Sequence, residues 1–168
     1  PNPLPAREEG ELKSSCGMDY SKLRDYLAQG KWKEADEETR RVMLAVAKRE
    51  KEDWLNDKSI DNFPCEDLSI IDKLWVKYSD GKFGFSVQKR IYQGFGGTRE
   101  YNSEIWRQFG DKVGWRKGGD WLYYKDITFD KKAPEGHLPG IDRAPERLGG
   151  SSLAVRRWFF SRVETCRL

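Results

Sequence analysis

The stretch FPCEDLSIIDKLWVKYSDGKFGFSVQKRIY, residues 63–92, decides the fold, because a helical apolar pattern there runs straight into a turn and an aromatic-rich segment. Leu68, Ile71 and Trp75 recur at helical spacing, Pro64 suits a first helical position, and Glu66 and Asp67 suit the positive end of the helix dipole. This predicts a core helix. Ser79-Asp80-Gly81-Lys82 then reads as a turn. Phe83, Phe85 and Val87 alternate with smaller residues, and a second helical run is predicted from Gln88 to Tyr92.

Upstream, Tyr20, Leu23 and Leu27 share one face of a short helix that Gly30 ends. Trp32, Ala35, Thr39, Val42 and Val46 continue on a second, so the pair reads as a helical hairpin without the repeat that an array would need. Residues 1–18 hold three prolines and two glycines with almost no apolar periodicity and predict a flexible leader, with the folded domain over 19–168. Residues 48–62 are mostly charged, yet include Trp54, Leu55 and Ile60. One reading is a solvated helix end; the other is that Trp54, Leu55 and Phe63 line one lip of a pocket, since apolar residues in a polar loop need a cover.

Downstream, Phe95 lies in a glycine-rich loop, and Ser103 can cap a short helix through Ile105, Trp106 and Phe109 that Gly110 ends. Residues 113–115 and 121–124 flank Lys117-Gly118-Gly119-Asp120 and predict a small β-hairpin. Prolines 134, 139 and 145, with glycines 136, 140, 149 and 150, make residues 128–152 a long irregular loop, of the kind that is usually functional or disordered. A last helix follows, with Val155, Phe159, Val163 and Cys166 on one face. The fold class is therefore mostly α: a single helical domain with a small β-hairpin and a long functional loop before the last helix.

At 168 residues the chain has room for one domain with a sizeable core. Aromatic residues are 13%, enough to fill that core with few large side chains and to leave flat apolar surface for a flat ligand. Lys plus Arg is 31 against 28 for Asp plus Glu, interspersed along the chain, which is not the footprint of a strong nucleic-acid binder. The tail departs from this pattern, with Arg143, Arg147, Arg156, Arg157, Arg162 and Arg167 facing only Asp142, Glu146 and Glu164. Those arginines either solvate the terminal helix or, with Trp158, build an RNA- or anion-binding module. Cys16, Cys65 and Cys166 are an odd number without CxxC spacing, so they suggest neither a disulfide framework nor a zinc site. A reducing compartment fits them best. No run of about twenty apolar residues is present to span a membrane.

Chemistry is sparse. The sole histidine, His137, sits in a Pro/Gly loop without a partner at metal-ligand spacing, which favours a structural hydrogen-bonding role. No cysteine has a neighbouring His, and Cys65 and Cys166 fall on apolar helical faces, where inert burial is expected. Binding is favoured over catalysis.

The quoted stretch, taken with FGDKVGWR (109–116), WLYY (121–124), TFD (128–130), APEGHLP (133–139) and SRVETC (161–166), resembles the Genomes Uncoupled family of tetrapyrrole-binding proteins over residues 19–168. The resemblance implies a non-enzymatic protein, with no cofactor of its own, that binds protoporphyrin IX and magnesium protoporphyrin IX. It implies a partner in the large porphyrin-binding subunit of magnesium chelatase, and a role in chlorophyll biosynthesis and plastid signalling in a chloroplast or cyanobacterial cytoplasm. A monomer is expected, compatible with transient membrane association and without nucleic acid. In that family the ring lies between the loop before the central helix and the loop before the last, here roughly residues 48–62 and 139–152. A porphyrin wants an apolar floor and cations for its propionates. Trp54, Leu55, Phe63, Phe95, Trp115, Trp121 and Tyr123 are the floor candidates, and Arg143 and Arg147, with Arg116 as a lesser choice, are the forked cations.

Overall fold

The central helix forms as its pattern predicts, over Cys65–Tyr78, with Leu68, Ile71, Leu74 and Trp75 buried. In this computed structural model, which describes residues 12–140 and 153–168 and the side chains of the last stretch from 159 onward, the order is helices α1 (Ser21–Ala28), α2 (Trp32–Val46), α3 (Asp57–Asp61), α4 (Cys65–Tyr78), α5 (Phe85–Gly94) and α6 (Ser103–Val113), the antiparallel pair β1 (Arg116–Lys117) and β2 (Asp120–Trp121), a 3₁₀ turn at Tyr124–Asp126, and α7 (Leu153–Thr165). The architecture is mostly α with one two-stranded sheet, as expected.

Gly30 closes α1 because the left-handed backbone there (φ 70°) lets its N–H reach Leu27 O at 3.1 Å while Lys31 N–H reaches Tyr26 O at 2.9 Å. The chain then reverses into α2, giving the predicted helical hairpin. Trp32 and Trp75 stack at 6.1 Å, with Phe83 edge-on to both. The Trp75 indole N–H donates to the Thr39 hydroxyl at 2.9 Å, and that hydroxyl donates to Ala35 O at 2.8 Å, so the polar atoms inside this apolar cluster are satisfied.

Four local expectations are corrected. The alternation of Phe83, Phe85 and Val87 marks no extended segment: helix α5 begins at Phe85, because Asp72 of α4 accepts the Ser86 N–H at 2.8 Å and supplies the cap. Burial raises the Asp72 pKa, opposed by that hydrogen bond. Second, Gly110 does not end α6, which runs to Val113 and stops at left-handed Gly114, and its cap is Asn102, not Ser103. A Cβ on Gly110 would lie 2.4 Å from the Trp121 ring, so this glycine is a seat for an indole. Third, the hairpin turn is where predicted, with φ 58° and 85° at Gly118 and Gly119, but its strands are two residues each; Val113 belongs to α6 and Tyr124 to the 3₁₀ turn. Fourth, residues 12–18, expected in a flexible leader, pack on the body. Leu12 and Ser14 are buried, the backbone of Lys13 pairs with that of Asp19 in an isolated antiparallel bridge, and the Ser15 hydroxyl donates to Glu66. Tyr20 behind them is buried and donates to Asp67 at 2.7 Å, and burial, then that carboxylate, pushes its phenol far above the ordinary range.

The cysteine reading is corrected as well. Cys65 and Cys166 form a disulfide, with Cα atoms 5.3 Å apart although 101 residues separate them in sequence. Helix α7 packs back against α3 and α5 and brings its end to the first residue of α4, a meeting that spacing along the chain cannot reveal. Cys16 is free and exposed.

Candidate functional site

The polar loop after α2 is held open by two arginines. Arg40 pairs with the Asp53 carboxylate at 2.9 Å and donates to Asp53 O at 2.7 Å, while Arg49 donates to Trp54 O at 3.2 Å and sets its guanidinium 5.3 Å from the Trp54 ring centroid. Lys48 and Asp53 both take left-handed backbone, the conformations that fold the loop back on itself. Trp54 is left half exposed, at 50%, with Leu55 half-buried against the core beneath it. Asn56 then caps α3 through Ser59 N–H at 2.8 Å.

An ion pair between Asp61 and Arg99, at 3.6 Å, ties the end of this lip to the loop that follows α5. That loop carries Phe95, half-buried against the core, and Tyr101, 46% exposed. It abuts α6, where a Cβ on Gly96 would lie 3.8 Å from Ile105. On α6, Trp106 stacks on Phe109 at 5.3 Å and on Trp121 at 5.9 Å, which places the hairpin indole over the helix. Tyr123 is half-buried, with the Lys125 ammonium 5.8 Å from its ring. Trp54, Leu55, Phe95, Trp121 and Tyr123 each keep accessible surface. Trp106 is buried, and its indole N–H meets no acceptor.

Two expected floor residues are core residues. Phe63 is 1% exposed and Trp115 is 0% exposed, its indole N–H spent on His137 O at 2.7 Å, so both support the site from within instead of lining it. Arg116 Nη1 donates to both carboxylate oxygens of Asp111 at 3.1 Å, so its charge is already paired. Arg143 and Arg147 lie outside the described residues, as do the side chains of Arg156, Arg157 and Trp158. Arg162 is not a solvated cation: it donates twice to Phe63 O, at 3.0 and 2.8 Å. That contact weakens the anion-module reading of the last helix.

The approach to the second lip is fixed from below. Gln88 donates to Gly136 O and Pro139 O at 3.0 Å each, and the Gly140 N–H donates to buried Asp36 at 2.7 Å. His137 takes the structural role expected of it: its Nε2 accepts the Thr128 N–H at 3.0 Å, which fixes the tautomer and leaves Nδ1–H to donate to Val113 O at 2.6 Å. Burial lowers its pKa, against the raising effect of the Val113 carbonyl, so it is neutral. Sequence spacing missed Asp36, Arg162, Arg99 and Gly110, since each acts across a contact that no periodicity encodes. Among the described residues, no group of three or more His, Cys, Asp or Glu could hold a metal ion, and no helix is long and apolar enough to cross a membrane.

Comparison with known proteins supports the fold. The GUN4-like family model matches residues 13–153. The Ycf53-like protein of the cyanobacterium Synechocystis is 37% identical over 135 residues, covering 79% of this chain and 55% of that one. A chloroplastic tetrapyrrole-binding protein of Arabidopsis thaliana is 36% identical over 75 residues, 44% of this chain and 28% of that one. The chain therefore spans about half, or less, of the length of the curated relatives it matches. Among solved structures, GUN4 from Chlamydomonas reinhardtii superposes with a TM-score of 0.70 at 29% identity, over 94% of this chain and 95% of that one. Ligand-free Arabidopsis GUN4 gives 0.67 at 28% identity, over 84% and 95%. With the family model spanning the helical body from the packed N-terminal segment to the start of the last helix, and with the fold shared throughout, the chain belongs to the GUN4-like family.

Proposed function

We propose that the chain is a non-enzymatic carrier that binds protoporphyrin IX and magnesium protoporphyrin IX over the surface running from Trp54 to Trp121, and that it stimulates magnesium chelatase by delivering substrate or relieving product. The observation that carries the reading is Trp54, an indole left half exposed on a loop that Arg40 and Arg49 hold in place. Family membership supports the ligand class, one relative being named a tetrapyrrole-binding protein. Relatives from a cyanobacterium and a chloroplast support a plastid or cyanobacterial setting.

Magnitudes fit a releasable ligand. Three covered apolar residues at roughly 1.5–3 kcal/mol each and two charge-assisted hydrogen bonds at about 1.5–3 kcal/mol each must offset an association cost of about 4–15 kcal/mol. Micromolar affinity, about 8 kcal/mol, requires the upper end of those contributions and the lower end of that cost. His137 is no axial ligand in this reading, because both of its ring nitrogens are spent on backbone groups. A bound magnesium keeps water or an exogenous group.

Arg143 and Arg147 are assigned to the propionates, since a planar fork donates two bonds to one carboxylate. Replacing both with Glu weakens porphyrin binding at least about tenfold, a change of about 1.4 kcal/mol, in a titration followed by the Soret band. Lysine replacements fall between. Unchanged affinity in a folded double variant contradicts the assignment. Partner coupling has its own test: porphyrin and the large chelatase subunit strengthen each other's binding by one common factor, because coupling between two sites is reciprocal. Full stimulation by a folded variant that binds no porphyrin contradicts the carrier reading.

A further inference from the structure

The Cys65–Cys166 disulfide lies at a mechanical junction of the fold. Cys65 opens α4, directly after the segment that joins it to α3, and Cys166 follows the last turn of α7. One turn before Cys166, Arg162 forks onto the carbonyl of Phe63, two residues before Cys65. A covalent tie and a charged tie therefore bind the end of α7 to the same three-residue stretch. Helices α3 and α7 are neighbours, so the tie joins the element that ends the Trp54 lip to the helix that follows residues 141–152.

Both cysteines are partly exposed and neither is sealed in the core. In the plastid or cyanobacterial setting proposed above, where thiols are kept largely reduced, a disulfide is usually catalytic or redox-sensing. Phe159, Phe160 and Val163 of α7 are buried, so the helix keeps an apolar anchor when the bond is cut. Reduction then loosens the junction without unfolding the domain.

We propose that Cys65–Cys166 is a thiol–disulfide exchange site for a dithiol protein reductant, and that its redox state sets how firmly α7 and α3 are held together beside the ligand surface. In the exchange, a reductant thiolate attacks one sulfur, forms a mixed disulfide and releases the other cysteine as thiolate. The second reductant thiol resolves the mixed disulfide. Two electrons and two protons pass to the cysteine pair, and the reductant leaves as its own disulfide. The setting and the effect on ligand affinity rest on the function proposed above.

The test uses the folded chain and a reduced CxxC dithiol protein of the thioredoxin type, without denaturant. Free thiols counted by alkylation and mass spectrometry should rise from one, Cys16, to three. Amide exchange over residues 57–63 and 159–168 should quicken about tenfold or more, and the Cys65→Ser/Cys166→Ser double variant should match the reduced protein under both conditions. Protoporphyrin affinity should fall about threefold or more on reduction. A bond that opens only in denaturant, or exchange rates unchanged after reduction, overturns the proposal. Equal affinity in both states overturns its link to the ligand. Absence of protoporphyrin binding in either state contradicts the carrier function instead, and the thiol and amide readouts still decide the exchange site.

Discussion

Two stretches of irregular chain, residues 48–62 and 133–140, are built by opposite means. The second is held from within: His137 of the loop, Gln88 of α5 and Asp36 of α2 each bind backbone groups of the loop or its neighbours from a buried position. In the first, Arg40 and Arg49 reach across the surface to hold a backbone turn whose main product is an exposed indole. The difference separates structure from function within the same class of element. A loop whose polar groups are spent inward is a foundation, whereas a loop whose polar groups hold an apolar ring outward offers something to bind.

The sharpest way to break that contrast is to delete one anchor from each side. His137→Ala orphans the buried Val113 carbonyl and frees the part-buried Thr128 N–H, and should cost at least about 1–3 kcal/mol in denaturant unfolding. Trp54→Ala should leave stability within about 1 kcal/mol, because half of the side chain already faces water. If the two variants were equally destabilised, the division between foundation and display would be wrong.

A smaller effect is expected where the aromatic surface meets its support. Gly110→Ala drives a methyl into Trp121 and should cost about 1–3 kcal/mol, with a changed near-ultraviolet dichroism as the indole leaves its stack on Trp106. An unchanged aromatic spectrum would show that Trp121 is not seated as described.

The smallest is a pH effect. The folded pKa of His137 lies below the ordinary 6.5, so in acid the unfolded chain takes up a proton that the folded one refuses. Stability contributed by neutral His137 is therefore intact above about pH 6.5 and declines as pH falls from there toward the folded pKa. Asp72 acts with the opposite sign, since its raised pKa makes the folded state bind more protons from about pH 3.8 upward. Comparing wild type with His137→Asn cancels the Asp72 contribution, and the wild type should show the steeper loss just below pH 6.5. Parallel curves would contradict the neutral assignment.

How much of this the sequence makes legible depends on whether a signal is local. The central helix, the helical hairpin and the glycine turn at 118–119 follow from periodicity and turn chemistry, which act within a few residues. The start of α5 does not, because its cap is Asp72, fourteen residues upstream on another helix. Phe63 and Trp115 look like ligand aromatics in sequence, but composition cannot separate a ring that floors a groove from a ring that fills a core. The role of His137 is legible from the lack of a metal-spaced partner, whereas the disulfide is not legible at all, because tertiary packing alone brings its cysteines together.

The central claim is that the displayed surface, and not the foundation, meets the porphyrin. A protoporphyrin titration of wild type and Trp54→Ala, read by Soret shift and by tryptophan quenching, tests it most directly. The account predicts micromolar or tighter binding by the wild type and an affinity about tenfold or more lower in the variant, at unchanged thermal stability. Equal affinity in the two proteins, or no Soret shift in the wild type, would contradict it.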